Sequence, residues 1–175
     1  PAPNDPYVSA YDNPGFSKRE IYGATVTANL ALSDSIDLVS ISDYLRLDRS
    51  LSVDTDGTSF RMFNFFSDAK SSQLSQELRL TGKSGGSDWV AGLYYLWIDH
   101  HIRTGIDALP DANTLALANP DTIFPFMTSN RVRQTTESYA AFGQAELPLG
   151  DEFSVIAGLR WTRDRNHIEI NPSCV

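Results

Sequence analysis

The chain has 175 residues and carries 14 Lys+Arg against 22 Asp+Glu, a formal charge of -8. An acidic chain without a run of basic residues is a poor match for a phosphate backbone, so no nucleic-acid partner is expected. Apolar residues make up 41%, too many for a disordered chain, and a single cysteine, Cys174, excludes a disulfide scaffold or multi-cysteine zinc site.

No run approaches the ~18 apolar residues of a spanning helix, and no leader pattern is visible. Most segments alternate with a period of two, which predicts strands. The first, Arg19 to Leu32, sets Tyr22, Ala24, Val26, Ala28 and Leu30 against Gly23, Thr25, Thr27 and Asn29. After a turn at 33–35, Ile36 to Leu51 sets Val39, Ile41, Asp43, Leu45 and Leu47 against Ser40, Ser42, Tyr44, Arg46 and Asp48. A third strand, Ser71 to Thr81, sets Leu74, Gln76, Leu78 and Leu80 against Gln73, Ser75, Glu77 and Arg79. The glycine-rich segment 82–88 is a turn by composition. The fourth, Trp89 to Arg103, alternates Trp89, Ala91, Leu93, Tyr95 and Trp97. The fifth, Arg131 to Leu147, sets Tyr139, Ala141, Gly143 and Ala145 against Ala140, Phe142, Gln144 and Glu146. A turn at 148–152 leads to the sixth, Phe153 to Ile168, with Val155, Ala157, Leu159 and Trp161 opposite Ile156, Arg160, Thr162 and Asp164. Long connections are expected at 1–17, 52–69 and 104–130. Ala108–Asn119, inside the last, is the one candidate for a short helix.

These strands run about 11 to 17 residues, against a soluble mode of about 5 to 6. Short turns alternate with long loops, and each strand has one apolar face. A spanning sheet must close on itself because hydrocarbon satisfies no stray backbone groups. Bacterial outer-membrane barrels have short periplasmic turns, longer extracellular loops and aromatic girdles. Trp89 to Trp97 and Phe153 to Trp161 are both eight-residue steps, about 27 Å along a strand and roughly 21 Å at a tilt near 40°. That is close to the ~25 Å apolar band between girdles. The expected fold is therefore all-β, an antiparallel transmembrane β-barrel segment of about six long strands in three hairpins, left as an open curved sheet. Trp89, Trp97, Phe153 and Trp161 are expected on its convex, lipid-facing side, and Glu77, Arg79 and Arg160 on the concave side. A porin-like barrel and a soluble ligand-binding β-barrel remain alternatives.

The segments Gln73–Leu80 and Asp88–Tyr95, with Thr136–Ala145 and Ala157–Thr162, resemble the barrel of TonB-dependent outer-membrane receptors. The flavour is similar to the large receptor group of sphingomonad-like proteobacteria, over about Arg19 to Asp164. The resemblance implies a bacterial outer-membrane location and a 22-stranded barrel around a plug domain. It implies uptake of a scarce nutrient (siderophore-iron, haem, cobalamin or oligosaccharide) driven through the TonB complex. Its implied partners are outer-membrane lipid, the plug and remaining barrel strands, TonB and a small-molecule nutrient. No plug or TonB box is visible, so the chain is read as an internal piece of such a barrel.

No nucleophile elbow, zinc-protease motif or phosphate loop occurs, so no enzymatic activity or cofactor is expected. The aromatics Phe63, Phe65, Phe66, Phe124 and Phe126, with His101, are the ligand-contact candidates of the long loops. His100 and His101 point to opposite faces of a regular strand, whereas Asp99 and His101 share one. Asp54-Thr55-Asp56-Gly57-Thr58 resembles the start of a calcium loop but lacks its distal acid, so a loop tip is the simpler role. Glu146 and Asp164 join the expected polar face.

Overall fold

The computed structural model describes residues 11–59, 61–108, 126–150 and 152–174. Six antiparallel strands form one sheet in sequence order: β1 (Phe16–Ser33), β2 (Ile36–Asp54), β3 (Asn64–Ser84), β4 (Ser87–Ala108), β5 (Phe126–Pro148) and β6 (Ser154–Cys174). The sheet is curved and unclosed, and no helix occurs among the described residues. The helix candidate lies, beyond Ala108, outside them.

The strands are 18 to 23 residues long, longer than the alternation predicts. The connections shrink accordingly. The expected loops 52–69 and 104–130 become 55–63 and 109–125, and β1 already begins at Phe16 within the expected loop 1–17. The turn expected at 33–35 reduces to Asp34 and Ser35, that at 82–88 to Gly85 and Gly86, and that at 148–152 becomes 149–153. The reason is that hydropathy alternates only where one face meets an apolar medium. Ser52 still pairs with Phe66, and Thr104 with both Ser67 and Asn130, beyond the stretches whose regular alternation predicts strands. Backbone pairing continues after the alternation has ended.

Register assigns the faces, because directly paired residues point the same way. Trp97 stands beside Leu74 and Glu137; Leu93 stands beside Leu78 and Ala141, which in turn faces Trp161. One face therefore collects Trp89, Leu93, Trp97, Leu78, Tyr139 and Trp161. In the central strands this face is the more open one: Leu93 is 60% exposed, whereas Ala140 on the other face is 4% exposed. It is the convex, outer face of the curve. Glu77, Arg79, Arg160, Glu146 and Asp164 share the inner face.

β2 is oriented opposite to the other five strands. Val39, Ile41, Leu45 and Leu47 lie on the inner face, and Ser40, Ser42 and Tyr44 on the outer face beside Leu78, Gln76 and Leu74. The cause is a bulge in the β1–β2 hairpin, between the pairs Ala31↔Asp37 and Ser33↔Ile36. Carried on without it, the tip pair would set Ala28 against Ile41 and Leu30 against Val39. The one extra residue reverses every β2 side chain relative to β1, and the unbroken β2–β3 register gives β2 the same orientation against β3. The exposed polarity this creates is satisfied locally: Ser42 Oγ donates to Gln76 Oε1, and Gln76 Nε2 donates to Ser40 Oγ at 2.9 Å.

A single layer has no interior. Only Ala108 and Ala140 are buried hydrophobic residues among those described. The hairpins instead depend on their turns. Gly85 and Gly86 adopt φ of 60° and 82°, the left-handed pair of a two-residue hairpin. Gly86→Val is expected to destabilise this hairpin by about 1–2 kcal/mol, measured as a shift in the urea unfolding midpoint of the folded barrel.

Candidate functional site

The outer face divides into a band and a belt. Near the short turns it is apolar except for Ser40, Ser42 and Gln76, and it ends toward the loops at Tyr22, Tyr44, Leu74, Trp97, Tyr139 and Trp161. Beyond these, the next outward positions are Glu20, Arg46, Ser72, Asp99, Glu137 and Arg163. The border is not parallel to the rungs of the sheet. Tyr22 pairs with Arg46, whereas Trp161, followed through Ala141, Leu93 and Leu78, stands level with Ser40. The border thus slips six residues along β2 between the first strand and the sixth. That is about 20 Å along the strands over roughly 24 Å of sheet width. A level border then requires strands inclined by about 40°, the tilt of membrane barrels.

At the loop end, Asn13 ties the segment before β1 to the sheet. Its amide donates to Ser52 Oγ and Asn64 Oδ1, both at 3.0 Å. The 55–63 loop is built on two carboxylates. Asp54 Oδ1 accepts the N–H groups of Asp56 and Gly57 at 3.0 Å. Asp56 accepts from the Thr58 N–H and hydroxyl and from the Phe63 N–H at 2.8 Å. Thr58 O accepts from the Asp12 N–H, which brings a third carboxylate to the pair. Oxygens of Asp12, Asp54 and Asp56 lie within 4.8 Å of one another, a donor set that a hard cation could use. No pattern in the sequence joined Asp12 to residues more than forty positions away. Partial burial, then the charge of Asp54, pushes the Asp12 carboxyl above its usual range. Burial also opposes ionisation of Asp56, but the Thr58 and Phe63 donors prevail and hold it below its usual range.

The predicted ligand-contact residues do not converge. Phe65 lies on the inner face beside Val53 and Ile106; Phe66 lies on the outer face beside Gly105, under the Arg103 guanidinium at 5.1 Å. Phe63 precedes β3 and is exposed. His101, also on the outer face, bonds Asp99 at 3.0 Å, as the shared parity predicts; Arg133 completes the group at 3.1 Å. Phe126 opens β5, and Phe124 lies outside the described residues. On the inner face Arg160 sits over the rings of Tyr94 and Phe142 at 5.9 and 5.7 Å, with Arg79 near Glu77 at 3.7 Å. Trp89, Trp97 and Trp161 share the outer face; Phe153, 72% exposed, immediately precedes β6.

Because the Asp56 carboxyl is depressed, its support of the loop is present above the ordinary carboxylate range and is lost as pH falls through the lowered value. Asp12 has the opposite sign: its charge is a cost at neutral pH that protonation relieves. Asp56→Asn is expected to speed amide exchange at Thr58 and Phe63 several-fold at pH 7, and Asp12→Asn to slow it.

The sheet is similar to that of the ferric yersiniabactin uptake receptor FyuA from Yersinia pestis, with a TM-score of 0.69 at 18% identity. The match covers 92% of this chain and 24% of that receptor, and the likeness is one of fold. No curated protein matches the sequence. The model of the TonB dependent receptor-like β-barrel matches residues 1–171, and the chain belongs to that family.

Proposed function

We propose that this chain forms part of the wall of an outer-membrane receptor whose complete barrel takes up a scarce nutrient with energy coupled through TonB. The inclined apolar band carries the reading. Large side chains exposed on a convex face, bounded by aromatics and tilted by about 40°, suit a sheet whose outside solvent is hydrocarbon. A soluble ligand-binding barrel would turn the apolar face inward.

In this reading Trp89 and Phe153 mark the lower interface, and Trp97 and Trp161 the upper one. The inner face meets the plug domain, Arg160, Glu77 and Arg79 supply lumen charge, and the remaining strands complete the barrel at the β1 and β6 edges. Nutrient contact falls to the loop end, where Phe63 and the 55–63 loop project, with Phe65, Phe66, His101, Phe124 and Phe126 as candidate contributors. The nutrient belongs to the class of ferric siderophores, haem, cobalamin and oligosaccharides. FyuA, by its name, takes up ferric yersiniabactin, which favours the ferric siderophore.

Two experiments test this. Deleting the gene in its host is expected to abolish growth on one limiting nutrient of this class, and deleting TonB to reproduce the loss; retention of all uptake by the deletion strain would refute the assignment. Leu93, midway between Trp89 and Trp97, is expected at mid-membrane. Leu93→Arg should destabilise the barrel in lipid by about 2–4 kcal/mol, with little effect from Thr162→Arg on the inner face. Equal costs at the two positions would reverse the faces.

A further inference from the structure

Register also sorts the cations of the inner face, and one pair stands apart. The inward-pointing cations of the strands are Arg19, Arg49, Arg79, Lys83 and Arg160. Arg79 lies 3.7 Å from Glu77 and Lys83 3.6 Å from Asp88, while Arg160 covers the rings of Tyr94 and Phe142. Arg19 and Arg49 have no such partner among the described residues. They are direct cross-strand neighbours on β1 and β2. Like charges so placed repel and weaken a sheet unless an anion lies between them. No inward-pointing acid of β1, β2 or β3 is nearer than Asp43, six residues from Arg49 and so about 20 Å along the strand.

The surface beside the pair is apolar. The rung of Arg49 continues as Ala69, Ile102, Val132 and Ile170 on β3 to β6. The flanking rungs carry polar groups on β3 to β5: Ser67, Thr104 and Asn130 toward the loops, and Ser71, His100 and Gln134 toward the turns. Ala69 is the smallest of the apolar row, so a flat apolar body can lie between Arg49 and Ile102, strands about 10 Å apart. Arg19 stands three residues beyond Tyr22, about 10 Å along β1 and ~8 Å above the aromatic border at the inferred tilt. The pair therefore faces the loop-end mouth of the barrel. We infer that Arg19 and Arg49 bind the carboxylate of an amphiphilic nutrient whose apolar skeleton lies along Ala69 and Ile102. This deepens the receptor reading above and rests on it. Planar guanidinium forks match the two oxygens of a carboxylate, and they are more weakly hydrated than ammonium groups. A phosphate dianion would cost more to desolvate against the apolar row. A neutral oligosaccharide would leave both charges unmatched.

The test uses the full-length receptor in lipid nanodiscs, with 2-naphthoate as the probe and neutral 2-naphthamide, of the same skeleton, as its control. Equilibrium dialysis, corrected with empty nanodiscs, reads both affinities. Quenching of tryptophan fluorescence by brominated acyl chains reports insertion independently. Naphthoate is expected to bind at least about tenfold more tightly than naphthamide. The double variant Arg19→Gln, Arg49→Gln should weaken naphthoate about 100-fold, at about tenfold per guanidinium, and leave naphthamide unchanged. The matching Arg→Lys double should recover about tenfold of this, because it keeps the charge and loses the fork. Ile102→Ser should weaken both probes alike, by about fivefold. Lys83→Gln, beside the Gly85–Gly86 turn, should change nothing. The inference is overturned if the Arg→Gln double variant binds naphthoate like the parent, or if naphthamide binds as tightly as naphthoate. A double variant that loses thermal stability but keeps its naphthoate affinity would also overturn it and assign the pair to the plug domain. Unquenched tryptophans would overturn the receptor reading and this inference together; quenching without charge selectivity would overturn the inference alone.

Discussion

Cross-strand register is the constraint on which everything else here depends. In a layered domain, packing against a second layer corrects an ambiguous strand. This sheet has no second layer, so the backbone ladder alone decides which side chains share a face. The outer band, the inner cation–π group and the inner arginine pair all follow from it. One bulge between Ala31 and Ser33 turns a whole strand over.

The physical setting explains why such an inversion is tolerable. Three polar side chains on the outer band are costly only if their hydrogen bonds are unmet. Ser40, Ser42 and Gln76 meet one another's needs across β2 and β3. On the inner side Val39, Ile41 and Leu45 form an apolar area along β2, set beside the polar row Arg79, Glu77 and Gln73 of β3. In the proposed receptor this area would pack against whatever fills the barrel, so the inversion trades lipid contact for contact with the interior.

Much of this was legible in the sequence, and the exceptions have physical causes. The faces of β1, β3, β4, β5 and β6 were readable because their alternation carries large residues such as Trp97 and Leu159. β2 also alternates, with Asp43 interrupting its apolar row, yet period two names two faces without saying which is outside. The bulge and the β2–β3 register decide, and neither has a hydropathy. The strand ends were read as loops because lipid imposes no pattern on Ser52 or Thr104. The charged groups were hidden for a different reason. Asp12 and Asp54, or Arg19 and Arg49, are far apart in the chain and meet only through register. Composition correctly reports an acidic chain, but a mean charge says nothing about one rung of one face.

Gly82 shows how little can hold such a sheet in place. Its cross-strand partner is Trp89, and a methyl group at Gly82 would lie only 2.4 Å from the indole ring. The tryptophan therefore lies down over bare backbone instead of standing away from the sheet. An indole lying flat offers a broad surface to the interface while keeping its ring at one depth. The missing side chain thus acts as a seat for an anchor. The vertical position of the hairpin in a membrane would be set by what residue 82 leaves out.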